Sequence, residues 1–125
     1  MVARADFVSL HCPLTHATHH LIDADALARM RSTAILVNTA RGPIVDQAAL
    51  AAALRTGQIA GAALDVTDPE PLAADDPLLS APNLIVVPHI GSATHAARER
   101  MADLAVDNLL AGLAGQPMPF AVRGA

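Results

Sequence analysis

Tryptophan, tyrosine and lysine are absent from this chain, cysteine occurs once and phenylalanine twice. A lone Cys12 excludes an internal disulfide and a zinc site built from several cysteines. With 2% aromatic residues, any core must be assembled from Ala, Leu, Val and Ile. The eight basic residues are all Arg, lie scattered, and are outweighed to a formal net charge of −4. There is thus no clustered basic face of the kind nucleic acid requires. No apolar run approaches the roughly 18 residues of a membrane span. The opening Met1-Val2-Ala3-Arg4-Ala5-Asp6 lacks the apolar stretch of a signal peptide. The expectation is a cytoplasmic protein without nucleic-acid or membrane partners.

What the chain does have is apolar sequence with a rhythm. At 53% hydrophobic residues it can build a core, and 125 residues suffice for one domain but not two. Phe7-Val8-Ser9-Leu10-His11 reads as a strand stopped by Pro13. Asp23 is placed to cap a short helix through Met30. Ala34-Ile35-Leu36-Val37-Asn38 is a continuous apolar run, the pattern of a strand buried on both faces. Asp46 precedes an Ala/Leu helix over residues 47–55, with Gly57 placed to end it. A third strand is expected over residues 59–66 and a fourth at Leu84-Ile85-Val86-Val87, cut off by Pro88. Between them Pro69, Pro71 and Pro77 demand a loop. A long helix is expected from about Thr94 to Leu113, with Met101, Leu104, Ala105 and Leu109 as its inner stripe. Strands alternating with helices imply parallel pairing through crossovers, an α/β doubly wound sheet with helices on both faces.

In such sheets ligands sit outside the carboxyl ends of the strands. Those places hold His11-Cys12-Pro13, Asn38-Thr39-Ala40-Arg41-Gly42, Asp65-Val66-Thr67-Asp68-Pro69-Glu70-Pro71 and Pro88-His89-Ile90-Gly91-Ser92. Singly, Arg41 reads as a solvated loop charge, Glu70 as a turn carboxylate, His89 as a satisfied loop histidine and Asp65 as a turn cap. Their collection along one edge argues for chemistry. A guanidinium offers a planar fork that matches a carboxylate. An imidazole exchanges protons near neutrality, and a neighbouring carboxylate fixes its tautomer. Such a set can bind a 2-oxo acid and protonate its carbonyl oxygen as a hydride reaches the carbon.

The three runs Asn38-Thr39-Ala40-Arg41-Gly42, Ala63-Leu64-Asp65-Val66 with Glu70-Pro71, and Pro88-His89-Ile90-Gly91-Ser92-Ala93-Thr94 resemble, in order and spacing, the D-isomer-specific 2-hydroxyacid dehydrogenases. Gly91-Ser92-Ala93-Thr94 and the end of the chain from Asn108 are most similar to the glyoxylate/hydroxypyruvate reductases of that family. The resemblance implies NAD or NADP as cofactor and a small 2-oxo or 2-hydroxy acid as substrate. It implies Arg41, Glu70 and His89 as catalytic residues, with Arg41, His89 and Ser92 facing substrate. It implies a cofactor site at Pro13, Thr39, Ala40, Arg41, Asp65, His89 and Gly91, and a homodimer in the full-length members.

That resemblance also implies a longer protein. The seven glycines (42, 57, 61, 91, 112, 115 and 124) contain no G-x-G-x-x-G, the loop that grips a dinucleotide. The chain is expected to be the C-terminal part of a Rossmann-like nucleotide-binding domain over residues 1–114, its first half missing, with residues 115–125 as a tail returning toward a missing substrate domain. On that expectation the isolated chain has little or no activity. The rival from another class is a non-catalytic remnant that only packs with full-length subunits. Two further rivals fail on pattern. His16 and His20 lie four apart, but Pro13, Thr15 and Thr18 favour a loop, so no metal ligands are assigned. Gly91-Ser92-Ala93 is not the G-x-S-x-G of serine hydrolases.

Overall fold

The computed structural model describes residues 2–122; Met1 and residues 123–125 of the expected tail lie outside them. The chain divides into two compact units, Met1–Ile90 and Gly91–Ala125. The division thus falls just after the last strand segment and ahead of the long helix.

In the first unit, strands β1 (Phe7–Leu10), β2 (Ile35–Asn38), β3 (Gly61–Leu64) and β4 (Leu84–Val86) form one parallel sheet in sequential order. Helices α1 (Ala24–Ala28) and α2 (Gln47–Arg55) connect the first three strands, and 3₁₀ turns occupy Gly42–Ile44 and Pro77–Ser80. The helix starts are set by aspartates. Asp23 Oδ1 accepts from the Ala26 N–H at 2.7 Å, and Asp46 Oδ1 from the Ala49 N–H at 3.0 Å, each satisfying a donor the helix itself cannot. Gly57 follows α2 with φ +67°, a left-handed conformation that glycine adopts without steric cost. Strand β3 is shorter at both ends than the expected 59–66, although hydrogen bonds of Ala60 N to Ala34 O and Asp65 N to Asn38 O, both 2.9 Å, carry the contact with β2 beyond it.

Register decides which side chains are buried. Leu10, Asn38, Leu64 and Val86 align across the sheet, as do Val8, Leu36, Ala62 and Leu84. Because side chains alternate along a strand, these rows share one face. That face packs in one cluster with Leu27, Leu50, Leu54 and Leu78. Each fully buried Leu contributes about 1.5–3 kcal/mol.

The opposite face differs from expectation. Phe7 is 72% and Ile85 64% exposed, and Ile35 and Val37 are half-buried, so β2 is not covered equally on both sides. The alternating pattern predicts helices on both faces; within this unit α1, α2 and the Pro77–Ser80 turn cover one. Strand order advances the same way at every step, and crossovers of one hand then pass over the same side.

In the second unit, α3 spans His95–Leu113 and starts at Thr94, whose Oγ1 accepts from the Ala97 N–H at 3.2 Å. The expected inner stripe is corrected here: no residue of α3 is buried, and Met101 and Leu109 are 56% and 61% exposed. A stripe becomes a core only against a second apolar surface, and this unit has little to offer. The chain after α3 turns back along it. The Phe120 N–H donates to Asn108 Oδ1 at 2.8 Å, and the Arg100 guanidinium lies 5.6 Å from the Phe120 ring centroid, a cation–π distance.

Candidate active site

The segments leaving the sheet at its carboxyl edge carry the charged groups that the sequence singles out, and each is held by a different device. At the end of β2, Asn38 is almost completely buried, and its side chain serves the turn that follows. Its Nδ2 donates to the Arg41 carbonyl at 2.9 Å and its Oδ1 accepts from the Ala40 N–H at 3.0 Å. Arg41 emerges from this turn exposed and extended, with Nη1 donating to the Ala40 carbonyl at 2.6 Å. Together with His11, Cys12, Pro13, Leu14 and Ala40 it lines a cleft of about 480 Å³. Thr39 is exposed on the same turn.

Beyond β3, Asp65 is buried and braces the end of β4. Its Oδ1 accepts from the Ile90 N–H at 2.7 Å, and its carbonyl accepts from the His89 N–H at 3.0 Å. His89 between them has φ +51°, a left-handed conformation that is uncommon outside glycine. Asp65 therefore supports this backbone from both its carbonyl and its carboxylate. The His89 ring meets Glu70: Nδ1 and Oε1 are 2.5 Å apart, with the side chains 48% and 39% exposed. A carboxylate can only accept, so Nδ1 carries the proton and Nε2 is the nitrogen left to face a substrate. A second cleft of about 510 Å³, with Leu72, Leu79 and Val86 among its walls, adjoins the pair.

The structure thus brings Glu70 to His89 and Asp65 to the backbone beside them. Arg41 lines the first cleft and makes its hydrogen bond locally. Gly91 and Ser92 open the second unit and are exposed. His16 to His20 is a turn rather than a helix, with Thr18 Oγ1 donating to the Pro13 carbonyl at 2.7 Å and the His19 and His20 rings stacked at 4.1 Å. Among the described residues, no group of three or more His, Cys, Asp or Glu could hold a metal ion. Among them also, no helix is long and apolar enough to cross a membrane.

Three positioning residues escape a reading of the sequence. Asn38 left a signal, a polar residue closing an apolar strand. Gly42 left only its place after Arg41, and Gln47 left none, being an ordinary first residue of a helix. Yet Gln47 Oε1 accepts from the Asp68 N–H at 2.9 Å while its Nε2 donates to the Asp68 carbonyl at 2.5 Å.

Pro13, Ala40 and Arg41, which could hold the nicotinamide end of a cofactor, line the first cleft. The first cleft has the size usual for small-molecule sites, about 300–1,000 Å³, and His11, Cys12 and Arg41 make its lining more polar than apolar. The diphosphate end has no G-x-G-x-x-G in this chain.

Comparison with known proteins places this edge in context. The chain is 54% identical over 116 residues to glyoxylate/hydroxypyruvate reductase B of Citrobacter koseri, a match covering 93% of this chain and 36% of that protein. It therefore spans about a third of the length of such curated relatives. Among solved structures, the TT0316 protein from Thermus thermophilus superposes with a TM-score of 0.90 at 55% identity, covering 94% of this chain and 38% of that one. D-lactate dehydrogenase with NAD+ from Lactobacillus jensenii gives 0.86 at 34% identity, covering 98% and 41%. A D-isomer specific 2-hydroxyacid dehydrogenase from Xanthobacter autotrophicus Py2 in complex with NADPH and MES gives 0.77 at 41% identity, covering 98% and 50%. The four parallel strands are thus part of a Rossmann-like sheet. Since residues 1–91 match the D-isomer specific 2-hydroxyacid dehydrogenase NAD binding domain, the chain belongs to that family.

Proposed function

We propose that this chain supplies the acid–base and substrate-binding part of an NAD- or NADP-dependent 2-hydroxyacid dehydrogenase that reduces a small 2-oxo acid of the glyoxylate or hydroxypyruvate kind. The observation that carries the reading is the Glu70–His89 pair, with His89 Nδ1 2.5 Å from Glu70 Oε1. It leaves Nε2 free to carry the second proton of the protonated ring at the carboxyl edge of a parallel sheet, where ligands of such sheets bind.

In this reading the Arg41 fork pairs with the substrate carboxylate, which sets the carbonyl's orientation. His89, protonated on both ring nitrogens, gives its Nε2 proton to the carbonyl oxygen, and Glu70 holds the neutral Nδ1–H tautomer that results. Pro13, Thr39, Ala40, Asp65 and Gly91 would hold the nicotinamide end of the cofactor, and Ser92 would face substrate. When bound, the nicotinamide supplies a hydride to the carbonyl carbon. A chain completed with the remaining part of such an enzyme would act as a homodimer.

The test is a reductase assay with glyoxylate or hydroxypyruvate and NADH or NADPH. It is run on this chain alone and on a chain completed with the N-terminal part of a relative. Oxidation of reduced cofactor by the completed chain is the expected result; none with either substrate or cofactor would overturn the proposal. The exposure of Phe7 and Ile85 favours a second reading for the chain by itself, as a non-catalytic piece packing on full-length subunits. Sedimentation of the chain mixed with such a subunit separates the two: co-migration without turnover supports the second.

A further inference from the structure

We infer that Gln47 is a positioning residue for the acid–base pair: its amide ties the exposed loop carrying Glu70 to the first turn of α2 and so holds the carboxylate on His89. The inference rests on the roles proposed above for Glu70 and His89. From Asp68 to Pro77 no residue is buried, so burial alone does not place Glu70. A carboxylate on an unanchored loop would spend much of its time in water rather than on an imidazole, because a solvated side chain gains conformational freedom.

The anchors that do exist can be compared. Thr67 Oγ1 donates to the Pro69 carbonyl at 2.9 Å, which shapes the loop without attaching it to anything else. Arg55, in the last turn of α2, donates from Nη2 to the Pro77 carbonyl at 2.7 Å and attaches the far end. Near Glu70, Leu72 packs against the core and Gln47 ties the loop to a helix by hydrogen bonds, with both halves of its amide on one residue, Asp68. This is the pairing a neighbouring strand would offer, made by a side chain. The helix behind it is immobilised by Leu50, Ala51 and Leu54, all buried. The side-chain type follows from the geometry. Glutamate keeps the acceptor for the Asp68 N–H but sets an oxygen against the Asp68 carbonyl. Asparagine is one methylene too short, and methionine matches the length but offers neither bond.

The test reads the His89 ring directly, by ¹H–¹⁵N spectra of ring-labelled histidine, with the His89 signals assigned through His89→Asn. In the parent chain, the expected result is a ring held in the Nδ1–H tautomer by Glu70, with Glu70→Gln as the reference for a lost pair. Gln47→Met is expected to weaken the Nδ1–H preference by about tenfold, the scale of one to two net hydrogen bonds, while the amide signals of the sheet stay in place. Arg55→Met is expected to leave the His89 ring as in the parent. An unchanged His89 ring in folded Gln47→Met overturns the inference, and so does an equal change in Arg55→Met, which would show general loop slackening. Should Gln47→Met not fold, Gln47→Glu is read by the same two criteria. No turnover is needed, so a failed reductase assay with an intact, Gln47-dependent pair sinks the proposed activity and not the positioning.

Discussion

The backbone of Gly42 lies against that of Thr67 so closely that a β-carbon built on it would collide with the Thr67 carbonyl and fall 2.8 Å from the Asp68 nitrogen. The turn that bears Arg41 and the loop that leads to Glu70 are therefore in direct backbone contact. Gly42→Ala should push them apart, because neither neighbour is a flexible side-chain end. We predict a loss of about 1–3 kcal/mol or more, the usual range for forced overpacking. Urea unfolding of the variant beside the parent checks this, and equal midpoints would refute the close approach.

Asn38 makes a different kind of prediction. Its side chain satisfies the Ala40 N–H and the Arg41 carbonyl from a position 1% exposed. Asn38→Leu fills the space but pairs neither group, so it should destabilise by about 1–3 kcal/mol. Denaturant titration measures the loss. A variant as stable as the parent would mean that the turn finds other partners.

The two sheet faces should respond unequally to mutation. Leu36 is fully buried on the covered face, and Leu36→Ala should cost about 2–5 kcal/mol. Ile85 is 64% exposed on the other, and Ile85→Thr should stay within ~0.5 kcal/mol. Comparable losses at both sites would show that the second face is covered in solution.

Roles at the site separate by kinetics in a chain completed with the N-terminal part of a relative. His89→Asn removes the proposed proton donor and should lower kcat by roughly 10²–10⁴-fold. Arg41→Lys replaces a fork by a point charge and should raise KM for the 2-oxo acid more than it lowers kcat. Steady-state kinetics with one substrate suffices, and a His89→Asn enzyme with unaltered kcat would remove His89 from the chemistry.

Much of this protein was legible from local rules. Asp23, Asp46 and Thr94 mark helix starts because capping depends on residues two or three positions away. Gly57 marks a helix end for the same reason. The strand runs and their parallel order follow from apolar runs separated by crossovers. Arg41, Glu70 and His89 were legible as candidates because the ends of such strands are where a sheet gathers ligands. The stripe of α3 shows the limit of that reading, since periodicity states which residues share a face but not whether anything covers it.

Long-range contact belongs to the tertiary structure alone. Gln47 and Asp68 are 21 residues apart, and Asp65 and Ile90 are 25 apart. The sheet register brings them within hydrogen-bonding distance, and no local pattern encodes that. The same register presses Gly42 onto Thr67 and leaves Phe7 and Ile85 on an open face. The sequence by itself determined which chemical groups stand at the strand ends. Only the folded chain decided which of them are held together, because side-chain reach is a few ångströms and the residues that brace the site come from different strands and helices.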